Sequence, residues 1–208
     1  VPSSAGARGR FIVFEGGEGS GKSTQAALLA TRLGAVLTRE PGGTELGVQI
    51  RSILLAASEN GLADRAEALL MAADRAQHVE QFIEPELVAG RDVVCDRFIG
   101  SSVAYQGYGR GLDTDMVRAI SGWAAGGLWP DLTILLTVSE QVAFERTGGA
   151  RDRIEAAGVE FHRRVAAGFK AQAEEEPEYW IRVDGVGTSE EVESRVRAAV
   201  SEMLGDSL

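Results

Sequence analysis

The stretch Phe14–Thr24, FEGGEGSGKST, places four glycines in the eight residues before Lys22 and then adds two hydroxyl side chains, Ser23 and Thr24. Lys22 is one of only two lysines in the chain, the other being Lys170. Glycine adopts backbone conformations that other residues resist, so such a run can curl until successive N–H groups point inward and cradle an anion. Gly16, Gly21, Lys22 and Ser23 satisfy the spacing G-x-x-x-x-G-K-[ST]. In that arrangement the backbone from Gly16 through Gly17, Glu18, Gly19 and Ser20 to Gly21 wraps phosphate oxygens. Lys22 reaches the β- and γ-phosphates, Ser23 is a ligand for Mg²⁺, and Thr24 follows on the helix. The alternative is an ordinary glycine-rich turn, and the flanks argue against it. Arg10–Glu15 (RFIVFE) has the mostly apolar, β-favouring character of a buried strand. Ala26, Leu29, Ala30 and Leu33 then recur at helical spacing. A helix opening there aims its positive N-terminal end at the same anion. The stretch reads as a site for a nucleoside triphosphate.

Outward from this loop, strands and helices alternate. Ala35–Thr38 (AVLT) is a second strand, REPGGTELG a loop, and Leu46, Ile50, Ile53 and Leu54 mark a helix. A long helical stretch covers about residues 63–88, and Pro85 kinks or restarts it. Asp92–Asp96 (DVVCD), Leu132–Val138 (LTILLTV) and Ile181–Asp184 supply three more strands. Asp113 caps a helix bearing Met116, Ile120 and Trp123. Thr188 and Glu191 form a capping box for a last helix striped by Val192, Val196, Val200 and Met203. The central strands are apolar along both faces, the pattern of an α/β fold with a parallel sheet covered on both sides. The 208 residues, 44% of them hydrophobic, suit one domain over residues 10–208 with a small mobile flap. Val1 to Gly9 is small and polar, lacks an initiator Met, and reads as a disordered tail or expression remnant.

The formal net charge is −10. A duplex-binding protein is more often basic, so nucleic acid is not an expected partner, and an anionic ligand must be held by a local positive site. The positive charge is almost all arginine, which favours planar, bidentate contact with phosphate. A single cysteine, Cys95, excludes a disulfide within one chain and fits a reducing cytoplasm. No apolar run approaches the ~20 residues of a membrane helix, and no signal-peptide pattern is visible. Neither lysine sits in the Asn/Thr-Lys-x-Asp guanine reader of a GTPase, and the early second lysine of partitioning-type ATPases is also missing.

Five further motifs follow in order: TREPGGTELG (residues 38–47), IRSILL (50–55), LLMAADRAQH (69–78), DRFIGSSVAYQGYGRGLD (96–113) and ARDRIE (150–155). With the glycine-rich loop they resemble bacterial thymidylate kinase from Arg10 to about Asp184. The DRF…SxxAYQ segment is the most specific part. The resemblance implies a P-loop kinase fold with a five-stranded parallel sheet, helices on both faces and a small arginine-containing lid. It also implies ATP-dependent phosphorylation of dTMP to dTDP by direct transfer, with Mg²⁺ and usually a homodimer. Asp96 then holds Mg²⁺ directly or through water, and Arg97 clamps the acceptor phosphate while bridging toward the donor. Arg51 and Arg39 bind the same phosphate. Arg75 meets a thymine carbonyl. Ser101, Ser102 and Gln106 join the dTMP-binding set, and Tyr105 packs beside the sugar. Glu15 matches an acidic position near the acceptor 3′-OH, or serves the metal. Plainer readings stand beside these: a capping Asp96, solvated or loop arginines at positions 97, 51 and 39, a helix ion pair of Arg75 with Asp74 or Glu67, and capping or packing roles for the rest. One departure is Met71, where the family commonly stacks a phenylalanine on the base; the polarizable sulfur can still cover a base face, with less shape selection.

Arg146, Arg151 and Arg153 flank Gly148-Gly149 in a polar segment between two helices, a lid at about residues 146–155. Closing it brings guanidinium groups over the donor phosphates and excludes water. The loop carries no arginine from Gly17 to Ser20, so the sequence resembles the branch of the family that supplies its catalytic arginine from the lid. A solvated charged loop is the alternative. The chemistry brings two anions together, so alignment and charge neutralisation dominate. The acceptor is already ionised and needs no strong base, which agrees with structural or surface roles for His78 and His162. Competing functions are a kinase for dUMP, other monophosphates or a nucleoside, and a nucleotide-binding regulator without turnover. The helices around residues 64–82 and 113–126 are candidates for a dimer contact.

Overall fold

Phe11–Glu15 (β1) is buried along its whole length because it lies mid-sheet with apolar cover on both faces. The computed structural model describes residues 7–56, 61–147, 153–154 and 157–205. Its five strands are all parallel, in the order β2-β3-β1-β4-β5. The others are Val36–Arg39 (β2), Val93–Asp96 (β3), Leu132–Thr137 (β4) and Trp180–Asp184 (β5). Parallel neighbours cannot be joined by tight hairpins, so helical crossovers connect them. Register places Phe14 beside Asp96 and Asp96 beside Arg39, bringing the ends of β1, β3 and β2 to one edge.

Alternation along the strands divides the core. Ile12, Phe14, Val94 and Ile134 face Lys22–Leu33 (α1) and Ser189–Leu204 (α9). Phe11, Val13, Val93 and Cys95 face the other way, against Val79, Ile83, Leu87, Phe98 and Val117. The capping box of Thr188 and Glu191 opens α9, and Val192, Val196 and Val200 are buried as expected.

Between β2 and β3 run Glu45–Leu55 (α2) and Asp64–His78 (α3). A wider π-type turn, Val79–Ile83, leads from α3 into Glu84–Val88 (α4). Pro85 accounts for the widening, because it lacks an N–H and its ring crowds the carbonyl four residues back. After β3, Ile99–Ser102 (α5) passes into a second π-type segment, Val103–Gly109, which no sequence pattern announced. Thr114–Ala124 (α6), Glu140–Thr147 (α7) and Val159–Glu175 (α8) complete the described helices. None of them is long and apolar enough to cross a membrane.

Two helix faces differ from expectation. Asp113 does cap α6, accepting from the Met116 N–H at 2.8 Å, yet Met116 and Trp123 are exposed. Val117, Ser121 and Ala124 form the buried side; their small side chains admit close approach, and the bulky residues turn outward. In α2, Gly47, Ile50 and Leu54 are buried while Leu46 and Ile53 are exposed. Residues 7–9, expected within a disordered tail, are fixed: Gly9 N–H donates to Leu87 O at 2.9 Å and Arg8 pairs with Asp131.

Phe98 is fully buried at the end of β3, edge-on to Phe11 with ring centres 4.9 Å apart. Phe98→Ala is expected to cost about 3–5 kcal/mol in urea unfolding, through lost burial and a residual cavity. An unchanged midpoint and slope would show that this joint does not support the fold.

Candidate active site

The glycine-rich loop closes on its own lysine. Gly16 has φ 141°, and a Cβ there would lie 2.3 Å from Leu136 O, so only glycine fits. Gly21 takes a left-handed conformation as N-cap of α1, and Lys22 Nζ donates to Gly17 O at 2.8 Å. Burial, then the nearby Arg97 guanidinium, lower the Lys22 amine to about 8, against the pull of Glu18, Asp96 and Glu15. The Ser23 hydroxyl donates to Asp96 Oδ2 at 2.5 Å, joining the start of α1 to the end of β3. Asp96 Oδ1 is buried without a hydrogen-bond partner among the described residues. These oxygens fit Mg²⁺, which binds through one or two protein oxygens and takes the rest of its shell from phosphates and water. Consistently, no group of three or more His, Cys, Asp or Glu among the described residues could cage a metal alone.

Arg97 is held in the left-handed region, φ 72°, which is rare for a non-glycine residue. Its N–H donates to Phe14 O at 2.9 Å, pinning the turn to β1. Nη1 donates to Gly16 O at 3.0 Å and Ser101 Oγ at 3.1 Å; Nη2 donates to Tyr105 Oη at 3.3 Å and pairs with Glu18. The Arg97 charge holds the Glu18 carboxyl near 2 despite burial. Burial raises the Tyr105 hydroxyl well above its usual value.

Two clefts flank the loop. The first, about 540 Å³, is lined by Lys22, Arg39, Arg51 and Arg97 with apolar cover from Met71 and Phe82. The second, about 280 Å³, lies against Gly16, Gly17 and Ser20 with Leu135, Val138 and Phe144. Glu18 and Tyr105 line both. A further cavity of about 360 Å³ is bounded by Thr24, Gln25, Arg146 and Gly187. The arrangement sets the glycine-rich loop beside the cation-rich first cleft, with Arg97 reaching from the cleft to Gly16 O on the loop.

A sequence model of the thymidylate kinase family, "Thymidylate kinase", matches residues 14–196. The chain belongs to the thymidylate kinase family. It is thereby a phosphotransferase of the nucleoside monophosphate kinase type. It is 46% identical to the thymidylate kinase of Desulfovibrio desulfuricans over 93% of this chain and 96% of that one. It is 52% identical to the thymidylate kinase of Leifsonia xyli subsp. xyli over 91% and 93%. A crystal structure of thymidylate kinase from Ehrlichia chaffeensis superposes with a TM-score of 0.79 at 33% identity, covering 93% of this chain and 99% of that one.

Of the residues the family resemblance assigns to the acceptor, Arg39, Arg51, Met71, Arg97, Ser101, Tyr105 and Gln106 line the first cleft. Arg51 Nη1 also donates to Pro41 O at 3.1 Å. Arg75 and Ser102 lie beneath it, both buried. Arg75 pairs with Glu40 at 2.9 Å, donates to Ser102 Oγ at 3.1 Å, and stands over Phe98; its Nε and Nη1 have no hydrogen-bond partner among the described residues. Its ion partner is Glu40, rather than Asp74 or Glu67.

Glu15 requires a correction. It does not face the cleft: Oε1 accepts from Phe98 N at 3.0 Å and Ser101 N at 2.8 Å, and Oε2 from Ser101 Oγ at 2.5 Å. Those bonds hold the turn under Arg97, and the fully buried carboxyl lines neither cleft. The carboxylate at the mouth of both clefts is Glu18. In the lid region, Arg146 donates to Gly19 O, Gly185 O and Gly187 O at the donor side. Arg153 instead bonds Leu54 O and Glu67, away from the phosphate cradle. Arg151 lies outside the described residues. His78 is structural, between Thr38 and Glu40, while His162 lines the second cleft. Phe82 was not singled out from the sequence, because it sits on the π-type turn, off helical phase, and Glu67 was read only as an ion partner of Arg75.

Burial raises Glu15 from an ordinary 4.5 to about 7, against hydrogen bonds from Ser101 and Phe98 and the charge of Arg97. The folded state therefore keeps this proton where the unfolded chain has lost it. Its contribution is fully present below pH 4.5, declines as pH rises to about 7, and reaches a penalty of about 3 kcal/mol above that. Glu15→Gln, which cannot ionise, is expected to flatten this decline in urea unfolding at pH 5, 7 and 8. A slope identical to the parent protein's would remove Glu15 as its source.

Proposed function

We propose that this protein transfers the γ-phosphoryl group of ATP directly to dTMP, forming dTDP, with dTMP in the first cleft and ATP phosphates on the glycine-rich loop. The observation that carries the reading is Arg97: one guanidinium reaches Gly16 on the loop and Ser101 and Tyr105 on the cleft wall, and is available to both anions. Lys22 faces the donor phosphates from a buried position. Arg39 and Arg51 supply further positive charge for the acceptor phosphate. Ser23 and Asp96 would hold Mg²⁺, directly or through water, and the ion would supply charge neutralisation at the donor phosphates. Arg146 and Arg151 are the lid arginines for the donor side. Met71 and Gln106 meet the base, with Arg75 and Ser102 below. Such preorganised charge is worth most where water is excluded.

We further propose a single kinase domain over residues 10–208, a cytoplasmic location, and a homodimer formed through α3 and α6, whose Leu69, Met116 and Trp123 are large, apolar and exposed.

ADP formation from Mg·ATP against dTMP, dUMP, dCMP, AMP, GMP and thymidine tests the assignment. Strong preference for dTMP is expected. Equal rates on other monophosphates would break the thymidylate reading, and no acceptor-dependent turnover would break the kinase reading. Arg97→Ala is expected to lower kcat on the order of 10³-fold while ATP still raises the melting temperature. Lost ATP affinity with normal acceptor use would remove the bridging role.

A further inference from the structure

Arg153 bonds α2 and α3 rather than the glycine-rich loop. Its Nε donates to Leu54 O at 2.9 Å, at the end of α2, and its Nη2 meets Glu67 Oε2 at 2.7 Å, on α3. The next residue, Ile154, lines the first cleft. Glu67 is fully buried, and hydrogen bonds from Gln106, Arg110 and Arg153 outweigh that burial and keep its carboxyl below the usual range. It accepts from Gln106 Nε2 at 2.8 Å and from Arg110 Nη2 at 3.0 Å. Gln106 itself lines the cleft, and with its amino end held by Glu67 its carbonyl end has no hydrogen-bond partner among the described residues. One buried carboxylate thus joins α3, the π-type segment that carries Gln106 and Tyr105, and the chain leading out of the lid.

We infer that Arg153 is a positioning residue for the acceptor, and that its grip on Glu67 and Leu54 O makes Ile154 a wall of the acceptor cleft. The inference rests on the reading of that cleft as the monophosphate site. Through Glu67 the same grip fixes which end of the Gln106 amide is offered to a ligand. A buried carboxylate that loses one of two cationic partners shifts toward the other, so loss of Arg153 draws Glu67 toward Arg110 and frees Gln106 to turn. The affected quantity is acceptor affinity, and the phosphate cradle is untouched.

The test uses Arg153→Met, Arg153→Lys and Glu67→Gln in the full chain. Steady-state kinetics are paired with melting shifts produced by dTMP alone and by ATP alone. Arg153→Met is expected to raise KM for dTMP about tenfold and shrink the dTMP-induced shift, with kcat, KM for ATP and the ATP-induced shift within about twofold. Arg153→Lys retains the ion pair and is expected to recover part of the loss. Glu67→Gln should give the same KM split; if it unfolds, the partly exposed Arg153 decides alone. A fall in kcat with unchanged KM for dTMP would make Arg153 a catalytic lid arginine and overturn the inference. Unchanged kinetics and shifts would reduce the network to an inert ion pair and do the same. If the parent protein shows no shift with any monophosphate, the site reading itself falls; a normal parent shift unaltered in Arg153→Met sinks only the positioning role.

Discussion

The bond between Arg97 N–H and Phe14 O, with the left-handed backbone it imposes, is the constraint on which the site depends. It forces the chain to turn as β3 ends, so that the guanidinium folds back over the loop that follows β1. Without that turn, Gly16, Glu18, Ser101 and Tyr105 would share no common partner. The strain of a non-glycine residue at φ 72° is offset by the bonds around it, and such conformations persist only where surroundings over-determine them. Here the surroundings are Glu15 below, holding Phe98 and Ser101, and Glu18 above. Arg97 is charged and partnered by Glu18 before any ligand arrives. That carboxylate keeps the guanidinium placed over the loop.

A second polar layer lies under the cleft. Half-buried Thr38 and buried His78, Glu40 and Arg75 form a continuous polar chain, with His78 Nε2 2.7 Å from Thr38 Oγ1 and Nδ1 3.0 Å from Glu40 Oε1. Buried charge is tolerated only when paired, so this chain commits the segment after β2 to one path. Asp74, raised to about 6 by burial and then by the Glu40 charge, accepts from Gly42 N at 3.0 Å on the same segment. A Cβ on Gly43 would lie 2.3 Å from His78 Nε2, so the segment rests directly on the ring. Arg39, at the end of β2, and Arg51, on α2, therefore flank a loop fastened from beneath.

Much of the fold was legible because its causes are local. A glycine's freedom at residue 16, a helix N-terminus at Lys22 and the unbroken apolar run of each central strand do not depend on distant partners. The stripes on α2 and α6 were read less well: spacing shows that a helix has an apolar side, but Leu46, Ile53, Met116 and Trp123 are apolar on the wrong side. Which side is buried depends on what packs there, and Gly47, Ser121 and Ala124 won by being small.

The same division holds at the site. Sequence alone determined that a glycine-rich loop at Gly16–Thr24 leads from a strand into a helix, that Asp96 and Arg97 lie at the end of a strand beside it, and that arginines are the cations available. Tertiary structure decided which acid each arginine meets. Arg75 found Glu40 rather than Glu67, Arg153 found Glu67 rather than the donor site, and Glu15 was enclosed while Glu18 took the mouth of both clefts. An ion pair depends on distance through space and on the water excluded around it, and neither quantity is written in the spacing of residues along a chain.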